Sequence, residues 1–403
     1  MVYAAILGYG TVGSGIFEVL RTNQKIIDQR LGKALRVKYV LDLREFPGDP
    51  VEEVLVHDFD TILSDPEVEI VAEAMGGIGA AYTFVKKALE AGKNVCTSNE
   101  ALVAEYGVEL MEIARSKNRS FLFEASCGGG IPIIRALNES LTADVVDEIS
   151  GILNGTTNYM LWKMETEGCE FAEVLKEAQA KGYAEADPTA DVEGHDACRK
   201  IAILSSLAYG KFVNYKEVYT EGITKITPAD IAYAKKLGRK IRLLATSRRT
   251  GDTCYAMVSP FLVGDGNPLY GVNDVFNAIF VHGNMLGDAM FYGSGAGKLP
   301  TASAVSADIV EIAAHLHESL RSDWTSEKMP LQEIDQVTGR FFVRVKGVSD
   351  EEIRAVFGPT DLITIEEVED EYGFVTMPMK QGDYKNKAAM LGSRVVSMIR
   401  MKD

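Results

Sequence analysis

Four carboxylates, Glu185, Asp187, Asp191 and Asp196, precede Lys200 in one short stretch of the chain. Pro188 and the turn formers around it predict a loop over 182–194. Apolar residues at helical spacing predict that this loop feeds a helix running from Asp196 to Leu207. On that helix Asp196 and Lys200 are i and i+4 neighbours, acid first, the better order for an ion pair. A loop of acids ending on an oriented lysine suits a small cationic substrate that must give or take a proton. The competing reading is a solvated acidic loop with a surface ion pair.

Three other segments carry ligand-type chemistry. Gly151-Ile-Leu-Asn-Gly155-Thr156-Thr157-Asn158-Tyr159 offers many donors and acceptors where backbone must come close to a ligand. Glu124-Ala-Ser-Cys127-Gly128-Gly129-Gly130-Ile131-Pro132 puts one carboxylate before a run of glycines, which suits a hard cation held by a carboxylate and carbonyl oxygens. Gly293-Ser-Gly295-Ala-Gly297-Lys298-Leu-Pro300 places glycines ahead of a proline at a helix start, a shape for ligand approach at a helix N-terminus. Taken singly, each also reads as a tight structural turn.

The elements that must hold these residues begin with an apolar run at 2–7, the pattern of a buried parallel strand. Gly8-Tyr-Gly10-Thr11-Val12-Gly13 follows, and then a helical pattern to about Leu20. Strand, glycine loop and helix in this order are the context of a dinucleotide fingerprint: Gly8 for the tight turn, Gly10 for backbone approach to the pyrophosphate, Gly13 for close packing of helix on strand. A second strand at 36–42 ends on Asp42, placed to accept from adenosine ribose hydroxyls. The insertion 23–35 lengthens the usual spacing. Arg44, two residues on, would instead meet a 2′-phosphate. Strands at 70–73, 94–97 and 121–123 alternate with helices at 81–91 and about 101–116, which implies a mostly parallel sheet covered on both faces. A mixed region runs from about Pro132 to Gly297, and a helix at 302–321 is apolar enough to pack back on the first unit. Residues 322–336 are polar and contain Pro330, a linker pattern. The remainder reads as a compact, self-contained unit: strand 340–345, helix 350–357, strands 362–367 and 374–379, helix 386–398.

The chain has 403 residues, 46% hydrophobic and 25% charged, the composition of an ordinary globular protein. Its net charge of −16 argues against nonspecific nucleic-acid binding, which needs lysine and arginine to neutralise phosphates. No apolar run reaches membrane-spanning length, and the first residues form a strand pattern rather than a cleavable leader. The five cysteines are scattered and odd in number, which fits reduced thiols in a cytoplasmic protein. His195 and Cys198 lie close but lack further ligand spacing, so a transition-metal site is not expected.

With these segments in view, the sequence resembles homoserine dehydrogenase. The resemblance rests on the glycine loop, Met75-Gly76-Gly77, Ala91-Gly92-Lys93-Asn94-Val95, and the segments 124–133, 151–160, 181–200 and 293–305, in the family's order. It implies an α/β protein with an N-terminal Rossmann-type doubly wound sheet (1–131 plus about 298–325), an α+β substrate and dimerisation domain (132–297) and a small C-terminal ACT-like α+β module (337–403). It implies reversible reduction of aspartate 4-semialdehyde to L-homoserine with NAD or NADP, in threonine and methionine biosynthesis, by a cytoplasmic homodimer or homotetramer. Position by position, Lys200 matches the proton-transfer lysine. Glu185 and Asp196, with Asp191 close by, match residues that bind the amino-acid end of the substrate, and Gly155 and Thr156 join them. Gly8, Gly10, Thr11, Val12, Gly13, Asp42, Arg44, Met75, Gly76, Gly182 and Gly297 fall on the cofactor side. Glu124, with backbone oxygens of Cys127, Gly129 and Ile131, matches a site for Na⁺ or K⁺.

Three positions depart from the family pattern. Glu100 stands where the family usually has lysine after asparagine. A unit charge at ~4 Å and an effective dielectric of ~20 matters by ~4 kcal/mol. Either activity is reduced, or Glu100 points elsewhere, or Lys200 works alone; a weakly catalytic amino-acid sensor is the alternative function. Leu41 stands where many relatives have arginine, which tilts the cofactor toward NAD, with Arg44 as a substitute. Ser349-Asp-Glu-Glu-Ile occupies the place where ACT modules often carry a Pro-Gly turn.

Overall fold

The structure is a computed structural model, and it describes residues 1–320, 324–366 and 368–403. The chain opens with β1 (Val2–Leu7), α1 (Thr11–Thr22), α2 (Gln24–Leu31), β2 (Leu35–Leu41), β3 (Leu55–Val56), α3 (Phe59–Ser64), β4 (Val68–Glu73), α4 (Gly79–Glu90), β5 (Asn94–Thr97), α5 (Glu100–Ser116) and β6 (Phe121–Leu122). Among the described residues these strands make a six-stranded sheet in the order β3-β2-β1-β4-β5-β6. Every pairing in it is parallel. That is the strand order of a dinucleotide-binding sheet, with its switch point between β1 and β4. Side chains of β1 leave alternately to two cores. Ala4 and Ile6 pack with Ile16 of α1, while Ala5 and Leu7 pack with Val85 and Leu102 on the other face. A strand buried on both sides has no room for polar residues, which is why 2–7 is a continuous apolar run.

The middle of the chain holds α6 (Ile133–Arg135), β7 (Val146–Ile152), α7 (Gly155–Glu167), α8 (Phe171–Ala180), α9 (Thr189–Val192), α10 (His195–Tyr209), β8 (Lys211–Phe212), β9 (Tyr219–Thr220), α11 (Pro228–Lys236), β10 (Lys240–Thr250), β11 (Thr253–Val263), β12 (Phe276–Gly283) and β13 (Gly287–Ser294). α12 (Lys298–Ala314) then returns to the first sheet. It packs so closely on α1 that a Cβ at Gly15 would lie 2.8 Å from that of Ala302. The apolar pattern predicted this return. The helix begins a turn before the predicted 302 because Pro300 fits its first turn, and it ends at Ala314; residue 321 lies outside the described residues.

The C-terminal part comprises β14 (Thr325–Lys328), β15 (Thr338–Gly339), β16 (Phe341–Lys346), α13 (Asp350–Phe357), β17 (Glu371–Val375), β18 (Met379–Lys380), α14 (Gln381–Leu391) and β19 (Val395–Lys402). This part differs from the pattern its sequence predicts. The predicted helix 386–398 is α14 followed by a strand. Gly392, at φ +61°, breaks the helix, and Val395-Val-Ser-Met-Ile-Arg-Met401 then favours a strand. The predicted strand 362–367 shrinks to one bridge, Ile363 to Gly373, and Glu367 lies outside the described residues. Nor is this part self-contained. β19 pairs antiparallel with β16 and parallel with β11, so the sheet runs β13-β12-β7-β10-β11-β19-β16-β17 through both regions.

Buried charges seal that junction. Arg344 pairs with Asp230 at 2.7 Å and with Glu371 at 2.7 Å. Arg400 donates to Ser259 Oγ at 2.6 Å and to Gln381, and pairs with Glu221. The expected linker is also partly docked: β14 pairs with β8, and Trp324 and Met329 are buried. Among the described residues no helix is long and apolar enough to cross a membrane.

Candidate active site

The glycine loop between β1 and α1 is shaped for close approach. Gly8 has φ +93°. A Cβ at Gly13 would lie 1.9 Å from the Gly8 carbonyl oxygen, whereas one at Gly10 would meet open space. The loop borders a cleft of about 760 Å³, and α1 begins at Thr11 and Val12 just behind it in the chain. Gly8, Gly10, Asp42, Arg44, Met75 and Gly76 line it. These residues fit a dinucleotide: a bare loop, a helix N-terminus for the pyrophosphate and an acid at the end of β2. Asp42 is already engaged. It accepts from Tyr9 N at 2.8 Å and from Arg44 Nε and Nη2 at 2.9 Å each. The hydrogen bonds from Arg44 hold its carboxyl well below the usual carboxylate range.

The polar cluster predicted around Lys200 is formed. The Lys200 ammonium donates to Asp196 Oδ2 at 2.8 Å and to the Leu153 carbonyl at 3.1 Å. An ammonium has three donors, so among the described residues one is left for a ligand. Burial alone would lower this group, but the charges of Asp196 and Glu100 and the Asp196 hydrogen bond hold it above the ordinary lysine range. Asn154 ties the acids together: its Nδ2 donates to Asp191 Oδ1 at 2.7 Å and to Asp196 Oδ2 at 2.9 Å. The remaining oxygens, Asp191 Oδ2 and Asp196 Oδ1, accept from no protein group among the described residues. Burial raises the Asp191 carboxyl, and Asp196 and Glu185 add to the rise.

Not every acid of the stretch joins this cluster. The Asp187 carboxylate turns back to Thr189, at 2.6 Å from its hydroxyl, and is exposed. An Asx-type contact within its own loop outcompetes the site. Glu185 is exposed, near enough to Asp191 to act on its charge. The predicted loop also contains one short helix, α9. Gly155 and Thr156 open α7, where a Cβ on Gly155 would lie 2.6 Å from the Val275 carbonyl oxygen; Thr156 Oγ1 donates to the Tyr183 carbonyl at 2.7 Å. Gly182, at φ +73°, and Gly297, at φ +118°, are both exposed.

Both oxygens of the Glu124 carboxylate accept backbone N–H groups, from Ile134 at 2.9 Å and Arg135 at 2.7 Å. Asp308 accepts from Glu124 N at 2.9 Å and pairs with Arg135 at 3.1 Å. The Arg135 guanidinium thus serves Asp308, while Glu124 is held through backbone N–H groups. A monovalent cation at Glu124 would use the lone pairs that these two bonds leave free. Among the described residues no three His, Cys, Asp or Glu side chains gather as a metal cluster.

A family model for homoserine dehydrogenase matches residues 132–310, and one for the homoserine dehydrogenase NAD-binding domain matches residues 8–124. The homoserine dehydrogenase of Neisseria gonorrhoeae is 43% identical over 351 residues, 85% of this chain and 81% of that protein. The chain belongs to the homoserine dehydrogenase family. A homoserine dehydrogenase structure from Thiobacillus denitrificans superimposes with a TM-score of 0.92 at 33% identity, covering 100% of this chain and 98% of that one. A hyperthermophilic archaeal homoserine dehydrogenase in complex with NADPH superimposes at 0.64, with 27% identity over 77% of this chain and 97% of that one. The protein is an NAD(P)-dependent oxidoreductase acting on a small-molecule substrate.

Two organising residues of this homoserine dehydrogenase escaped the sequence reading. Asn154 bridges the acids and caps α7 through Thr157 N at 2.9 Å. An asparagine just before a helical run is a capping signal that could have flagged it. Glu73, fully buried at the end of β4, accepts from Met75 N at 2.7 Å and from the Thr97 hydroxyl. Burial pushes its carboxyl up to about 7. No spacing pattern marks it, since an acid ending a strand looks like any turn residue.

Proposed function

We propose that this homoserine dehydrogenase interconverts L-homoserine and L-aspartate 4-semialdehyde with Lys200 as the group that meets the reacting oxygen. The free donor of an ammonium anchored at 2.8 and 3.1 Å is the observation that carries the reading. The nicotinamide, when bound, supplies or accepts the hydride. In the reduction direction negative charge grows on the aldehyde oxygen; Lys200 stabilises it and delivers a proton. The open oxygens of Asp191 and Asp196, with Glu185 at the rim, take the substrate ammonium in charge-assisted hydrogen bonds. The N-terminus of α7 at Gly155 and Thr156 takes its carboxylate. Gly8, Gly10, Thr11, Val12 and Gly13 receive the pyrophosphate. Asp42 and Arg44 face the adenosine ribose, Met75 and Gly76 line the cleft, and Gly182 and Gly297 close on the cofactor from the substrate side. NAD and NADP both remain within this reading, and the archaeal complex with NADPH supports the latter. Glu124 with backbone oxygens of Cys127, Gly129 and Ile131 would hold Na⁺ or K⁺.

The three units are 1–131 with 298–325, 132–297 and 337–403, and the enzyme works in the cytoplasm. The last unit has the β-α-β-β-α-β order and the antiparallel β19-β16-β17 pairing of a ferredoxin-like module, its second strand reduced to Ile363. That supports the ACT-like reading. β13 is a sheet edge with Met290 and Tyr292 exposed, which supports assembly as a homodimer or homotetramer through the middle region. The similarity to homoserine dehydrogenases gives no support to a weakly catalytic amino-acid sensor. Lys200→Ala tests the reading. Homoserine oxidation, followed by absorbance of the reduced nicotinamide, should fall by about 10³-fold or more with dinucleotide binding intact. Turnover like the wild type would remove Lys200 from the mechanism.

A further inference from the structure

Glu100 is a half-buried carboxyl that the assignment above leaves without a task. It is the first residue of α5, behind the N-cap Asn99. Asn99 also donates to the Gly77 carbonyl at 2.7 Å, which fixes this helix end against the loop bordering the dinucleotide cleft. α5 packs on α10, so the carboxyl lies on the side where Lys200 emerges. The charged and titratable groups that face it are Asp196, Arg199 and Lys200 from α10, Glu73 from β4 and Cys127 from the segment after β6. Among the described residues it makes no ion pair within 4.0 Å. It accepts from its own backbone N–H, and the lone pairs this leaves can meet a substrate atom or one bridging water.

Lys200 is bound to Asp196 and Leu153 and is an ammonium before and after turnover, so the proton released when homoserine is oxidised has to come to rest elsewhere. Asp196 is a poor resting place. Its Oδ2 already accepts from both Lys200 and Asn154, and protonation would weaken both charge-assisted bonds. Resting on the Lys200 assignment, we propose that Glu100 is the relay carboxylate of this enzyme, exchanging the reaction's proton with the substrate oxygen through Lys200. In oxidation the O–H bond of homoserine breaks, its proton passes to Lys200 and a Lys200 proton passes through one bridging water to Glu100. The C4–H pair leaves as hydride to the oxidised dinucleotide, and the C=O bond forms. Reduction runs the same steps backwards, ending with Glu100 ionised. Burial and the charge of Asp196 raise this carboxyl, with Lys200 opposing, which keeps its proton exchangeable nearer neutrality than an ordinary glutamate's.

The test is the pH profile of kcat in both directions for the wild type, Glu100→Gln and Glu100→Asp, with dinucleotide binding measured alongside. In the wild type, oxidation should fall as pH drops through one pKa above the usual carboxylate range, and reduction should fall as pH rises through it. Glu100→Gln should lose about 10²-fold in kcat and both limbs, with KM for homoserine unchanged. Glu100→Asp should regain the limbs with part of the rate. Wild-type kcat in Glu100→Gln, or retention of its limbs, overturns the relay. If Glu100→Gln does not bind dinucleotide, Glu100→Asp decides: displaced limbs support the relay and unmoved limbs overturn it. A wild-type protein that fails to oxidise homoserine overturns the Lys200 assignment and the relay together.

Discussion

Removing the Asn154 side chain should damage fold and recognition at once, and the size of each effect follows from its four hydrogen bonds. Its Oδ1 caps α7 by accepting from Thr157 N at 2.9 Å and from the Thr157 hydroxyl at 3.0 Å. Its Nδ2 spends both protons on Asp191 and Asp196. Loss of an N-cap costs about 1 kcal/mol. Hydrogen bonds to charged groups contribute about 1.5–3 kcal/mol each. Asp196 keeps Lys200, however, and Asp191 is only half-buried, so roughly 1 kcal/mol each is the better figure. Asn154→Ala should therefore lose about 3 kcal/mol, which for a unit of 150–250 residues is roughly 6–12 °C. The KM for homoserine should rise, because the two acids proposed to take its ammonium lose their common anchor.

Asn154→Asp separates the two roles, since it keeps the cap acceptor but adds a third carboxylate to the cluster. The new group's pKa would be raised in the folded protein above its unfolded value. The folded state then binds the extra proton, so the loss of stability is relieved as pH falls through the raised pKa and is full above it. Thermal unfolding across pH 4–8, with homoserine kinetics at neutral pH, reads both. An Asn154→Ala protein within about 0.5 kcal/mol of the wild type, with an unchanged KM, would refute the claim that this residue organises the site.

Arg44→Ala should free Asp42 for the ribose hydroxyls and weaken NADP by about tenfold, or ~1.4 kcal/mol, while leaving NAD unharmed; equal effects on both dinucleotides in titrations would show that Arg44 does not meet the 2′-phosphate. Arg344→Met should strand Asp230 and Glu371 as buried, uncompensated charges, at about 3–5 kcal/mol. A denaturation midpoint like the wild type's would show that the junction of the C-terminal part with the middle of the chain does not depend on them.

The sequence alone determined the parts whose physics is local. A two-sided apolar strand, a Gly8–Gly13 loop and a helix can pack in only one way, and the 1.9 Å approach at Gly13 shows why no other residue serves there. Asp196 and Lys200 pair because they are i and i+4 on one helix. Tertiary structure decided what depends on residues far apart in the chain. Asp187 and Asp191 are alike in sequence, but only Asp191 meets Asn154, 37 positions away. Asn386–Met398 carries apolar spacing that serves helix or strand. What makes β19 a strand is the pair of open edges at β11 and β16, which can be satisfied only by backbone hydrogen bonds from a third segment. The carboxyl of Glu100 came to face Lys200 because α5 packs on α10, a contact that no run of neighbouring residues encodes.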